Sequence, residues 1–380
     1  MISESGLSPG RFRAVVVKEF IQMRRDRLTF GMMIGIPLLQ LVLFGYAINT
    51  DPRHLPAAVL LADNGPQGRT LLEAVRNSGY IDFVRQVDTE EEGREALARG
   101  EVQFVVTIPA GFTRSLLRAE RPVLLLEADA TDPAATGNAL GSLRTLAEAA
   151  LQRDLQGPLA YLSGGESPFD LRVHALYNPE GATRYNIVPG LMGVVLTMTM
   201  VIITGLAITR ERERGTMENL LSMPVRPLEV MAGKIVPYIL VGYIQAGLIL
   251  GAARFLFDVP LEGSLALLLA ASFLFIVANL AMGITFSTVA RNQLQAVQMS
   301  FFFFLPSLML SGFMFPFRGM PRWAQAIGEL FPLTHFLRIV RGILLKGNGT
   351  GEVAPHLWPI AAFTAVALFV SVKRYRRTLD

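Results

Sequence analysis

The chain has 380 residues, 51% of them hydrophobic and only 17% charged, with a net charge of +4 and a mean hydropathy of +0.41. Soluble domains carry about a quarter charged residues, so this deficit and the long apolar runs point to a protein of the bilayer. The absence of cysteine excludes disulfides, iron–sulfur clusters and thiolate metal centres, and four scattered histidines are poor material for a metal site.

Residues 1–27 read as a cytoplasmic amphipathic leading helix. Phe12, Val15, Val16, Phe20 and Met23 share one face, with Arg11, Lys18, Arg24 and Arg25 around the rest. Such a helix suits an anionic inner leaflet, or packing on a soluble partner. The apolar run at 28–48 is long enough to span, and no small-residue cleavage site follows it, so it reads as an uncleaved signal anchor. Residues 49–183 change character. Strand-like runs at 57–62, 81–87, 102–108 and 123–127 alternate with helical stretches near 67–78, 90–99, 110–119 and 133–156, which predicts an inserted α/β domain of about 130 residues.

Five further spans are expected in 184–380, at about 185–209, 232–256, 265–289, 295–316 and 356–372. The expected fold is therefore a polytopic α-helical membrane protein of six spans with an extracytoplasmic α/β domain. Basic residues before the first span and Lys373, Arg374, Arg376 and Arg377 after the last place both termini in the cytoplasm of a bacterial inner membrane. Residues 317–347 resist this scheme, because Arg318, Arg322, Arg338, Arg341 and Lys346 should then be external. They read as external interfacial helices whose arginines snorkel outwards.

Chemistry within the spans is sparse. The spans at 28–48, 185–209, 265–289 and 356–372 hold no Asp, Glu, Lys or Arg, so a carboxylate relay for ion-coupled transport is missing. Gln40, Asn186, Gln245, Asn279 and Gln298 are candidates for a substrate path, although each also suits a plain interhelical hydrogen bond. The run Phe301–Phe304 suits packing or lipid. Gly31/Gly35 and Gly247/Gly251 have the spacing of close helix contacts. Glu90–Glu92 suit the dipole of a helix start better than catalysis, and no nucleophile–base constellation can be assembled, so no catalytic residue is assigned. No phosphate-cradling G-x-x-x-x-G-K-[ST] loop is present, so energy must come from a partner or an ion gradient.

The segment 209–227 at the end of the second span alternates charges, then sets Met217, Leu220 and Leu221 in a short ridge ended by Pro224. It suits docking in a cleft of another protein, or a solvated loop stitched by local ion pairs. Its order Arg210-Glu211, Glu213, Gly215-Thr216, Glu218, Leu220-Leu221, Pro224 resembles the signature of type-2 ABC exporter permeases. Further resemblances follow in order: Lys18-Glu19 with Arg24-Arg25-Asp26; Tyr177-Asn178-Pro179; Val188-Pro189-Gly190; Phe286 to Gln293; Leu310-Ser311-Gly312 with Phe315-Pro316; Phe331 to Thr334; and Arg341-Gly342. The large domain after the first span resembles the multidrug-type subgroup.

This resemblance implies a non-enzymatic permease subunit that binds no cofactor itself, with ATP and magnesium held by a separate cytoplasmic ABC ATPase. It also implies a second permease chain, identical or different, within the lipid bilayer and without nucleic acid. Arg210, Glu211, Glu213, Gly215, Thr216, Glu218 and Leu221 would couple to the ATPase, together with Lys18, Glu19, Arg24, Arg25 and Asp26 of the leading helix. Export of a small amphipathic compound is the expected function. An ion-coupled transporter, a membrane-anchored sensor, or a scaffold whose external domain recruits a periplasmic adaptor are the alternatives.

Overall fold

The computed structural model describes residues 53–151, 155, 167–213 and 227–377. The leading helix, the span at 28–48 with Gln40, and Gly215, Thr216, Glu218 and Leu221 lie outside the described residues.

The first part is a five-stranded sheet with helices on both faces. In chain order it comprises β1 (Leu55–Leu61), α1 (Pro66–Asn77), β2 (Ile81–Gln86), α2 (Glu90–Ala98), β3 (Phe104–Ile108), α3 (Phe112–Leu117), β4 (Val123–Asp129), α4 (Pro133–Ala150) and β5 (Asp170–Leu176). The sheet order is β2-β1-β3-β4-β5, parallel except between β3 and β4. Side-chain alternation divides the core in two. Leu55, Ala57, Phe104 and Val106 pack with Leu71, Phe112 and Leu143 on one face, whereas Ala58 and Val105 pack with Ala96 and Leu97 of α2 on the other. The four strands expected from sequence are present. β5 was not foreseen because Arg172 and His174 sit exposed on this edge strand and break the apolar run.

Helix α2 begins as its acidic start implied. Thr89 accepts from the Glu92 N–H, and the Glu92 carboxylate accepts from the Asp88 N–H.

The second part is helical. It comprises α5 (Thr183–Glu213), α6 (Pro227–Phe255), α7 (Leu265–Val289), α8 (Gln293–Leu310), α9 (Arg322–Gly328), α10 (Pro332–Arg341) and α11 (Thr350–Arg377). Five of these, α5–α8 and α11, are long and apolar enough to cross a membrane. Helix α8 ends before the expected 316, because Gly312 takes a left-handed φ of 84° and turns the chain. After α10 the backbone widens into a π-turn at Gly342–Lys346, closed by Gly347 at φ 73°.

Gly31 and Gly35 lie outside the described residues, and among the described residues the close helix contact is made by a glycine other than Gly247 and Gly251. Gly247 and Gly251 face open space within this chain. At Gly283 a Cβ would overlap the Thr204 hydroxyl and fall 2.6 Å from the Val201 carbonyl oxygen, so α5 and α7 are in close contact there. Threonine hydroxyls along α5 are satisfied locally: Thr197, Thr204 and Thr209 donate to the carbonyls four residues earlier. Phe303 packs among Phe286, Phe331 and Phe363, so part of the phenylalanine run is core.

Loop contacts sort the helix ends into two groups. The Glu262 and Gly263 N–H groups donate to the Leu344 and Ile343 carbonyls, which brings the α6–α7 loop beside the π-turn. At the opposite end Glu213 of α5 meets Gln293, the first residue of α8.

Candidate functional site

The sheet domain rests on the first group of helix ends, and the joint is built on the C-terminus of α2. The last carbonyls of a helix lack intrahelical partners and carry the negative end of its dipole. Here three side chains from 318–348 supply donors: Lys346 Nζ to the Leu97 carbonyl at 3.0 Å, Asn348 Nδ2 to Ala98 at 3.1 Å, and Arg318 to Gly100 at 3.2 Å. Lys346 also pairs with Asp129 at 2.5 Å, with both side chains about nine-tenths buried. The Thr131 N–H and hydroxyl donate to the other Asp129 oxygen. The pair is thus hydrogen-bonded around its rim, the condition under which a buried ion pair is tolerable.

Tyr177 lies beneath this pair, with Lys346 Nζ 5.2 Å from its ring centroid, and takes an unusual positive φ of 67°. Burial, reinforced by the nearby Asp129 and Glu127 carboxylates, pushes its hydroxyl pKa up to about 12. The following Asn178 is buried and closes the turn into α5, accepting from the Ala182 N–H and donating to the Ala182 carbonyl. The Tyr-Asn-Pro sequence therefore forms the turn that joins sheet domain and span.

Beside the joint is a chamber of about 170 Å³, lined by the sheet domain on one side and by the α8–α11 connections on the other. Its polar wall includes Asp129, Asp132, Arg318, Arg338, Arg341 and Lys346. Arg341 donates to the Asn186 side-chain oxygen at 2.7 Å and to the Gly312 carbonyl at 3.1 Å. Burial lowers its pKa, and the Asp132 and Asp129 charges act in the opposite sense. Arg338 grips Glu329 with both terminal nitrogens, at 2.7 and 3.1 Å, and stacks on Phe317. Burial alone would raise the Glu329 pKa, but the Arg338 hydrogen bonds and charge outweigh it, and the carboxyl titrates below its usual range. His335 sits against the same glutamate, its Nε2 2.9 Å from the Glu329 carbonyl oxygen, and burial lowers its pKa. The arginines expected to snorkel outwards are thus largely turned towards protein. Neither the joint nor the chamber was foreseen from sequence, where only the misplaced basic residues of 317–347 hinted at partners.

The opposite end carries Arg210, Glu211 and Glu213, the described members of the set singled out for coupling. Arg210 is exposed. The Glu213 carboxylate accepts from the Gln293 N–H at 2.8 Å and from its side-chain amide at 2.5 Å. The Gln293 side chain and then its backbone lower the Glu213 pKa. Glu213 therefore clamps the end of one span to the start of another, an intramolecular contact that a purely partner-facing residue would lack. Among the path candidates, Gln245 accepts from Thr199 of α5, Asn279 donates to the Phe275 carbonyl of its own helix, and Asn186 holds Arg341. Gln298 has a buried amide oxygen with no hydrogen-bond partner among the described residues. Of these four described groups none lines the chamber, and only Asn186 is hydrogen-bonded to a residue that does.

This combination of spans, sheet domain and ordered motifs matches the family described as ABC-2 family transporter protein over residues 27–373. The chain belongs to that family. The permease is 32% identical to "Probable multidrug ABC transporter permease YbhS" of Escherichia coli K12, over 98% of this chain and 99% of the relative. It is 27% identical to "Probable multidrug ABC transporter permease YbhR" of the same organism, over 97% and 98%. "Inner membrane transport permease YhhJ" of that strain is 31% identical over 90% of this chain and 93% of its own. The protein is thus a multi-pass permease of the bacterial ABC type, a membrane subunit of a family in which ATPase activity lies in a separate nucleotide-binding subunit. Family membership also implies that ATPase partner and a typically dimeric permease arrangement.

Proposed function

We propose that this permease exports a small amphipathic compound or drug from the cytoplasm or inner membrane, driven by ATP bound with magnesium and hydrolysed on a cytoplasmic partner. In this reading the chain crosses the bilayer six times, with 28–48 joining α5–α8 and α11. The sheet domain lies outside, both termini lie inside, and the leading helix and 209–227 face the ATPase. Two permease chains form the transport unit, and a periplasmic adaptor is a further partner for the sheet domain.

The observation that carries this orientation is the sorting of helix ends. The sheet domain and 317–347 share the end opposite to Glu213, Gln293 and the basic terminus. The cations that weighed against an external 317–347 include Arg338 and Lys346, which are neutralised by Glu329 and Asp129. Arg318, Arg322 and Arg341 remain at that end, so the orientation rests on the basic flanks before 28–48 and after α11, with Arg210, Lys373 and Arg374 at the end away from the sheet domain.

The test is reconstitution of the permease with its ATPase in inside-out vesicles. ATP-dependent accumulation of an amphipathic dye, with hydrolysis stimulated by that dye, is expected. Accumulation driven by a proton gradient without ATP would reject the reading in favour of ion coupling.

A further inference from the structure

Of the arginines and lysine lining the chamber, Arg99, Arg338 and Lys346 have carboxylate partners at ion-pair distance, and Arg318 and Arg341 have none among the described residues. Arg341 spends two donors on Asn186 and a carbonyl, and its Nε has no hydrogen-bond partner among the described residues. Arg318 donates to one backbone carbonyl. Arg318 is exposed as a residue, yet the protein packed around the guanidinium lowers its pKa, and the like charge of Arg338 lowers it further against the opposing charge of Glu329. Arginine remains charged even so, and each guanidinium offers five donors in a planar fork suited to phosphate or carboxylate.

Next to the chamber is a second cavity of about 220 Å³, which shares Asp132 with it and is lined by Asn186, Ile187, Phe313, Met314 and Phe315. Asn186, the partner of Arg341, therefore forms part of the wall between a cationic compartment and an apolar one. Met314 is half exposed, so the apolar recess opens at the protein surface. A cationic pocket adjoining an apolar recess at the end of membrane-spanning helices matches a molecule that carries a negative head on an apolar body.

We propose that the chamber binds the anionic headgroup of an amphiphile, a phosphate or carboxylate held by Arg318 and Arg341, with its apolar portion in the recess of Phe313, Met314 and Phe315. This names the substrate class of the permease and rests on the export reading. The chamber lies where the sheet domain meets the spans, so an occupant touches both parts at once.

The test uses the full chain in nanodiscs of phosphatidylcholine, titrated with a fluorescent short-chain phosphatidylglycerol and its phosphatidylcholine analogue. The anionic lipid is expected to bind about tenfold or more tightly, as one or two charge-assisted hydrogen bonds imply. Arg318→Gln should abolish most of that preference while leaving the zwitterionic analogue unchanged, and Arg322→Gln on exposed α9 should change neither. Arg341→Gln should act like Arg318→Gln; its bonds to Asn186 and Gly312 risk misfolding, so Arg318 is the deciding variant. Equal binding of the two lipids, or a preference untouched by Arg318→Gln, would overturn the proposal. So would displacement by inorganic phosphate as readily as by unlabelled phosphatidylglycerol, which would make the occupant a free anion. ATP-driven transport is scored separately in the vesicle assay. Transport without headgroup preference would sink this inference alone, and Arg318-dependent binding without ATP-driven transport would support the site while sinking the export reading.

Discussion

The two ends of the helical bundle are joined in opposite ways. At the sheet-domain end a buried ion pair, two donors on the last α2 carbonyls, a third on the Gly100 carbonyl just beyond, and an aromatic floor hold the π-turn and its neighbours to the domain. At the other end, among the described residues, α5 and α8 are tied by one exposed carboxylate on one glutamine. A buried, hydrogen-bonded pair resists displacement because separating it strands charge in a poor solvent, whereas an exposed contact exchanges with water at little cost. The difference teaches which contact is cheaper to break: the domain end is held to the turn it grips, whereas the Glu213–Gln293 contact is open to water.

The largest expected effect breaks the tight joint. Asp129→Ala leaves Lys346 buried without its counter-ion and should destabilise the chain by about 3–5 kcal/mol, read as a lower thermal unfolding midpoint in detergent. Pairing Asp129→Leu with Lys346→Met should recover most of the loss, since apolar replacements strand no charge. An unchanged midpoint in the single variant would mean the joint is not closed.

Next comes the bundle that links the two ends. Gly283→Ala drives a methyl into Thr204 and the Val201 carbonyl and should cost about 1–3 kcal/mol. Gly247→Ala meets open space and should be neutral or stabilising by about 0.5–1 kcal/mol, as alanine is the better helix former. Equal effects at the two positions would contradict close packing between α5 and α7.

A smaller effect is the pH response of the domain end. The folded His335 pKa is lowered, so the unfolded chain binds the extra proton first, and stability falls as pH drops below the ordinary histidine value of about 6.5. Glu329 is also lowered; its contribution is present above the ordinary carboxyl pKa and is lost only on further acidification through its folded value. The unfolding midpoint should therefore decline between about pH 7.5 and 5.5, and His335→Gln should flatten that decline. A midpoint that rises on acidification over that window would reverse the assignment.

The smallest stability effect belongs to the light clamp. Glu213→Lys should shift stability by no more than about 0.5 kcal/mol, since the side chain is exposed. Substrate-stimulated hydrolysis by the ATPase complex should nonetheless fall, because the end of α5 no longer holds α8. Normal hydrolysis in that variant would return Glu213 to the role of an ordinary surface residue.

Much of this architecture is determined by local sequence. Span-length apolar runs cross a bilayer because no shorter helix can, and α7 falls on the 265–289 expected from hydropathy alone. Alternating strands, Thr89 and the acidic start of α2 announce themselves because their physics acts over a few residues. The tertiary structure alone decided the joint and the chamber, since Lys346 meets Asp129 and Arg341 meets Asn186 across separations of 217 and 155 residues. No local pattern encodes such pairings. A basic residue in an apolar segment declares that its charge needs a partner, and only the fold determines which carboxylate or carbonyl is brought within reach.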